Sequence, residues 1–387
     1  MRLEAAVSST LAPADAAGAR ELVVQERDFE WLKANREVAE AMAHEQADPT
    51  PFHTFEWLDA WWSAFGSGYR ARVFTVHSGD RIVGLAPLMA SRSDEGVLEW
   101  LGAGRSDHCP LLIRNGYEVD GLRALRRYLM QRRDWRVLSL RTVLPSQLEH
   151  FREAWGPDLL QETDDVSPRV LIRGSWDDYL AAKSKKHRGN IRRLFRAQEN
   201  GSVTVACERD FRPELLDEIA DIEARSWKRR DGSLRLAGAG AAFYEAFLRG
   251  FAARGWSEVW VCRARGVPVA YLVTFCYRDR VFYYNGAYRE DYASYVDVSP
   301  GSLLIANALR HAHERGMHSF DFLRGDEPYK SLWINEPRPL YHVVLVAPGL
   351  RAGIAAIRRV RLRWWLRRSA LARRAHAWLV RVRPGRD

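Results

Sequence analysis

The sequence contains no uncharged apolar run of the roughly 18 residues that a membrane-spanning helix needs, although 47% of its 387 residues are hydrophobic. It has only four cysteines, Cys109, Cys207, Cys262 and Cys276, with no CxxC pair. Their spacing suits neither a zinc site nor a disulfide framework, so the thiols read as small buried hydrophobes and no metal is expected. Met1–Arg20 has no apolar stretch of the kind a secretory signal carries, and it includes Glu4 and Asp15. No secretion is expected from it; these twenty residues read as a disordered N-terminus of a cytoplasmic protein. A general nucleic-acid-binding charge is also missing. The formal charge is +10, but residues 351–387 hold twelve Arg and one Asp, so the preceding 350 residues sum to −1. The charge signal therefore belongs to a short cationic tail on a near-neutral body.

What is present is an alternation of helical and strand patterns that runs twice in a similar order, which predicts an internal duplication. The first half, 21–174, reads as helices over 30–41 and 54–65, a hairpin of strands 71–76 and 81–86 around Ser78-Gly79-Asp80, strands near 98–101, 110–113 and 136–140, and a helix over 121–131. The second half, 175–348, reads as helices over 176–198, 213–226 and 241–253, a hairpin of 258–263 and 269–277, a strand over 280–286, a helix from 301 to 315 and strands at 319–323 and 341–346. That order is α+β, with a mixed, mostly antiparallel sheet flanked by helices in each half.

Several constellations carry possible chemistry, each with a plain structural counterpart. Ser299-Pro300-Gly301-Ser302 stands between a strand and an amphipathic helix. Proline suits the first helical position and serine caps it, so the segment reads as a seat for a cofactor pyrophosphate on free backbone N–H groups, or simply as a well-capped helix start. Phe320 to Lys330 runs a short apolar strand into a dense charged turn. There Asp321 reads as a base or as a structural ion-pair partner of Arg324, and Tyr329 as a phenolic proton donor or a packed ring. Arg324, Asp326 and Lys330 are the candidate substrate contacts of that turn. The basic run 183–193, with Lys185, His187 and Arg188, reads as a grip for a phosphate or carboxylate, or as the solvated face of a helix. Tyr284 belongs to a tyrosine-rich approach to Pro300 that would line an acyl or sugar pocket or pack as ordinary half-buried rings. Asp107-His108-Cys109 resembles a nucleophile with its base only superficially, because neighbours on an extended segment point to opposite faces. The stripe Phe52, Phe55, Trp57, Trp61, Trp62 and Phe65 reads as core.

Four segments, 51–58, 185–193, Ser299-Pro300-Gly301 and 321–330, resemble in order and spacing the cellulose-biosynthesis-type acetyltransferases of the GNAT superfamily, relatives of the Fem peptidoglycan-bridge transferases. The resemblance implies two tandem GNAT-like domains, with acyl-CoA (acetyl-CoA) as cosubstrate in the second. It places the donor pyrophosphate at Ser299, Pro300, Gly301 and Ser302, and a general acid at Tyr329. The usual Gln/Arg-x-x-Gly-x-Gly/Ala loop is absent. The implied activity is acyl transfer to an amine or hydroxyl of a sugar, polysaccharide precursor or other envelope-related small molecule, with Asp321 as base. The alternatives are a Fem-like transferase using aminoacyl-tRNA, the one reading that brings in a nucleic acid, and a membrane-associated scaffold without catalysis. In the tail, 349–387, Arg alternates with Ile357, Val360, Trp364, Leu371, Trp378 and Val382 at helical spacing. It reads as a basic helix lying on an anionic membrane surface, docked on the body, or touching nucleic acid.

Overall fold

The computed structural model describes residues 21–349. The expectations for the N-terminus and for the Arg/Trp tail lie outside the described residues. Fourteen strands form two mixed sheets among the described residues. The first sheet contains β1 (Val23–Arg27), β2 (Tyr69–Ser78), β3 (Arg81–Ser91), β4 (Asp94–Trp100), β5 (Leu112–Ile113), β6 (Val137–Val143) and β7 (Leu160–Val166). The second contains β8 (Arg169–Leu171), β9 (Val203–Glu208), β10 (Ser257–Ala264), β11 (Val267–Tyr277), β12 (Arg280–Tyr288) and β13 (Ser319–Asp321). The last strand, β14 (Pro339–Val346), belongs to the first sheet.

The two sheets repeat one plan. In the first, β1, β2, β3 and β4 lie side by side and antiparallel, and β6 then joins β4 in parallel. In the second, β9, β10, β11 and β12 do the same and β13 joins β12 in parallel. A parallel neighbour requires a crossover, supplied by the helix Glu118–Met130 in one half and Pro300–Glu314 in the other. The expected α+β class and its two mixed sheets are therefore what the structure has.

One strand goes where the sequence order does not suggest. The strand expected to close the second half is present as β14, but it lies between β6 and β7 of the first sheet. In return β8 pairs with β13 in the second sheet. Each sheet thus takes in a strand from the other half, because the two sheets lie close enough for a short connection to cross. Smaller differences have local causes. The helix expected over 176–198 is two, Trp176–Ala181 and Lys185–Glu199, because Ser184 caps the second by accepting from the His187 N–H at 3.2 Å. The helix Pro145–Trp155 and strands β1, β7, β8 and β9 were not expected from periodicity.

The aromatic stripe is core, and it belongs to both halves. Trp57 is fully buried on the helix Phe55–Phe65, with Phe52, Phe243, Phe247, Phe275 and Tyr284 packed at ring-centroid distances of 4.9 to 6.0 Å. Its indole N–H donates to Ser106 at 2.8 Å, satisfying the one polar atom taken inside. A shared core of this kind fixes the orientation of the two sheets. The four cysteines are free; Cys109, Cys262 and Cys276 are buried and Cys207 is partly exposed.

Candidate active site

The cleft follows from an interruption of the second sheet. β12 and β13 pair only over 280–282 and 319–321. Beyond Phe282, β12 runs on to Tyr288 with no strand on that side, and a bulge places Tyr284 out of register, since Val273 faces Asn285 while Thr274 faces Tyr283. The opening has a volume of about 1010 Å³ and reaches residues of both halves, including Asp107, Arg141, Asp164 and Asp165 from the first.

Of the residues singled out in the sequence, Ser299, Gly301, Ser302, Tyr284, Arg324, Asp326, Tyr329 and Lys330 line this cleft. At its donor-side wall Ser299 caps the helix Pro300–Glu314, with Pro300 at the first helical position and buried beneath the lining. Gly301 lies against Tyr288: a Cβ there would stand 3.3 Å from the ring. The helix start and the unpaired β12 edge present backbone polar groups to the same space, a surface suited to a phosphate and an amide-rich chain.

Asp321 and Lys330 build the turn that presents Arg324. Asp321 is buried, and its carboxylate accepts from the Ser167 hydroxyl and the Leu323 N–H, each at 2.8 Å, and from the Arg338 guanidinium. It does not line the cleft. Leu323 follows with φ of 53°, a left-handed conformation that costs a non-glycine residue about 1 kcal/mol and persists only where its surroundings enforce it. The enforcement is visible: Lys330, 4% exposed, donates to the carbonyls of Leu323, Arg324 and Gly325 at 3.4, 3.0 and 3.3 Å and pairs with Glu327 at 2.8 Å. The dense charge of 321–330 is therefore mostly spent on holding its own loop.

Tyr329 stands at the cleft, 39% exposed as a residue, and its phenol interacts with that of Tyr283. Burial of the hydroxyl end, then the Tyr283 phenol, raises it above the usual phenol range, so it remains protonated. Burial likewise pushes Tyr283 up to about 12, with the bond to Tyr329 pulling the other way.

The basic helix does not reach the cleft. Lys185 and Lys186 are exposed, His187 packs edge-on against Trp333 at 4.8 Å, and Arg188 donates to the carbonyl of Ala181 at 3.1 Å and to that of Lys183. Lys185, His187 and Arg188 are thus separated from the other candidate residues.

The structure adds groups that the sequence did not single out or, like Asp107, that were set aside. Asp107 lines the cleft 3.4 Å from Arg324. Burial raises its carboxyl above the ordinary value, against the pull of Arg324, Arg235 and Lys330, which makes it a stronger base than a solvated aspartate. Lys228 donates to Glu223 at 2.8 Å, Asn285 at 2.6 Å and Tyr271 at 3.1 Å; burial lowers its ammonium to about 8. Arg141 pairs with buried Asp164, Nε to Oδ2 at 3.1 Å. Arg235 also lines the cleft. None of these carries a local motif. Among the described residues no group of three or more His, Cys, Asp or Glu could hold a metal ion, and no helix is long and apolar enough to cross a membrane.

Residues 185–331 match the family model of the acetyltransferase (GNAT) domain, the stretch that supplies β12, β13, the helix start and the turn at 321–330. No curated protein matches the sequence. Among solved structures, FemX superposes with a TM-score of 0.61 at 10% identity, over 84% of this chain and 98% of that one. L-PGS from Bacillus licheniformis gives 0.55 at 13%, over 84% and 96%. The C-terminal domain of a putative lysylphosphatidylglycerol synthetase from Agrobacterium fabrum gives 0.51 at 13%, over 85% and 96%. At such identities the likeness is one of fold. The domain match supports an acyltransferase.

Proposed function

We propose that the chain moves an acetyl or longer acyl group from acyl-CoA to an amine or hydroxyl of a sugar, polysaccharide precursor or other envelope-related small molecule. The observation that carries this reading is the cleft between β12 and β13, with a capped helix start on one wall and Asp107 and Tyr329 on its lining. Bound acyl-CoA would supply a thioester carbonyl open to attack. The residues suited to hold it are Ser299, Gly301 and Ser302 at the helix start and the free β12 edge, whose N–H groups fit phosphate and carbonyl oxygens. Asp107 takes the proton of the attacking amine or hydroxyl as the new C–N or C–O bond forms, and Tyr329 gives its phenolic proton to the sulfur as the C–S bond breaks. Asp321 has no part in proton transfer here; it fixes the turn that aims Arg324.

The likeness of four segments to cellulose-biosynthesis-type acetyltransferases supports the sugar or glycan acceptor. The Arg/Trp pattern of residues 351–387 supports a cytoplasmic enzyme resting on the anionic inner face of a membrane. The test is the rate of acyl transfer from acetyl-CoA and longer acyl-CoAs in Tyr329→Phe and Asp107→Asn. Loss in both with folding intact is expected; full rates in both would refute the assignment, and turnover only with an aminoacyl-tRNA would move the donor to that class.

A further inference from the structure

The cations on the cleft lining are nearly all paired. Arg141 is paired with Asp164, Lys228 with Glu223, Arg324 with Asp107, and Lys330 with Glu327. Arg235 is different. Its backbone N–H donates to Glu223 at 2.7 Å, but its guanidinium makes no hydrogen bond or ion pair among the described residues. It is half-buried and lies within electrostatic reach of Tyr284, Tyr244 and Asp107. A guanidinium on an open cleft with none of its five donors committed to a protein group is available to an anionic ligand. Its position is not incidental either: the carbonyl of Arg235 stands where a Cβ on Gly240 would fall, at 2.2 Å, so only glycine at 240 permits this path of the loop.

We propose that the acceptor carries an anionic group, a carboxylate or phosphate, which Arg235 binds bidentately, and that this contact sets the acceptor's amine or hydroxyl beside Asp107. This rests on the acyltransferase reading and names its substrate class. Arginine's fork matches either oxyanion, and Asp107, already paired with Arg324, stands free of Arg235 in hydrogen-bonding terms. The anion grip that the sequence suggested for Lys185, His187 and Arg188 falls instead to one residue 47 positions beyond Arg188.

The experiment uses the full chain, with desulfo-CoA present, and matched probes: glucosamine 6-phosphate against glucosamine, and alanine against alaninamide. Ligand-observed NMR gives their dissociation constants. The anionic member of at least one pair is expected to bind about tenfold or more tighter, a gap that shrinks to about twofold in Arg235→Gln and stays intermediate in Arg235→Lys. Whichever pair shows the gap distinguishes phosphate from carboxylate. Equal binding of both members of both pairs by the unmodified protein, or an undiminished gap in Arg235→Gln, would overturn the proposal. Thermal stabilisation by desulfo-CoA alone is read in parallel on all three proteins. Its absence throughout would strike the acyl-CoA reading without touching the anion preference, whereas its retention in Arg235→Gln shows that the variant folds and keeps its donor side.

Discussion

Two parts of this molecule cluster polar and charged groups and differ in what those groups do. In the seam where the sheets exchange strands, Asp321, Arg338, Ser167 and His108 are all buried, and they bond to one another: Ser167 donates to Asp321, and Arg338 donates to Asp321, to Ser167 at 3.3 Å and to the His108 ring at 3.2 Å. In the cleft, Tyr329 and Arg235 line open space, and Asp107 lies on the same lining 3.4 Å from Arg324. A buried polar network whose members bond mainly to one another helps specify a fold. A site keeps groups that only a ligand can satisfy. Density of charge in the sequence does not separate the two cases, whereas bonding in three dimensions does.

That contrast can be broken from either side. Tyr329→Phe should lower the acyl-transfer rate by about a hundred to ten thousandfold, the usual worth of a proton donor, while the melting temperature stays near that of the parent; rate and melting curves on the same preparation check it. Asp321→Ala should do the reverse in kind, leaving Arg338 buried without its carboxylate at about 3–5 kcal/mol of stability, read by urea denaturation. A smaller effect comes from acid. Burial lowers His53 to about 4 from its usual 6.5, and lowers His108 well below its usual value. The unfolded chain takes up a proton on His53 near pH 6.5 and the folded chain only near pH 4, so stability is full above pH 6.5 and falls through that window. The His53 share is about 3 kcal/mol, and a pH series of denaturation midpoints in His53→Gln should show a shallower fall. The smallest effect sharpens the comparison: Lys185→Ala and Lys186→Ala on the exposed helix should each change stability by no more than about 0.5 kcal/mol and leave acceptor use unaltered.

The sequence made the architecture readable because two periodicities recur in the same order. The hairpin of β2 and β3, the turn at Gly79-Asp80, and the helix opening at Ser299-Pro300 all follow from local chemistry. The exchange of β8 and β14 was not readable, since edge pairing depends on which sheet lies nearer and no residue type records that. The site divided in the same way. Segments with dense local signals were found, and the structure brings the helix start and the 321–330 turn together in one cleft. Asp107 and Arg235 were missed or set aside because each is an ordinary residue in a loop, given its setting only by packing of the two halves. Asp321 drew attention for alternating with Phe320 and Phe322, yet the same alternation turns it toward the seam, where Arg338 meets it.

An acyl-CoA donor seated in the opening between β12 and β13 should stabilise the full chain, and thermal melting with desulfo-CoA, alongside Gly301→Val, reads this out. Saturating the parent at about a hundred times the dissociation constant should add about 2.7 kcal/mol, and Gly301→Val, whose side chain would press on Tyr288 at the helix start, should lose most of that gain. No stabilisation of the parent, or an equal gain in Gly301→Val, would show that no such donor sits at this helix start.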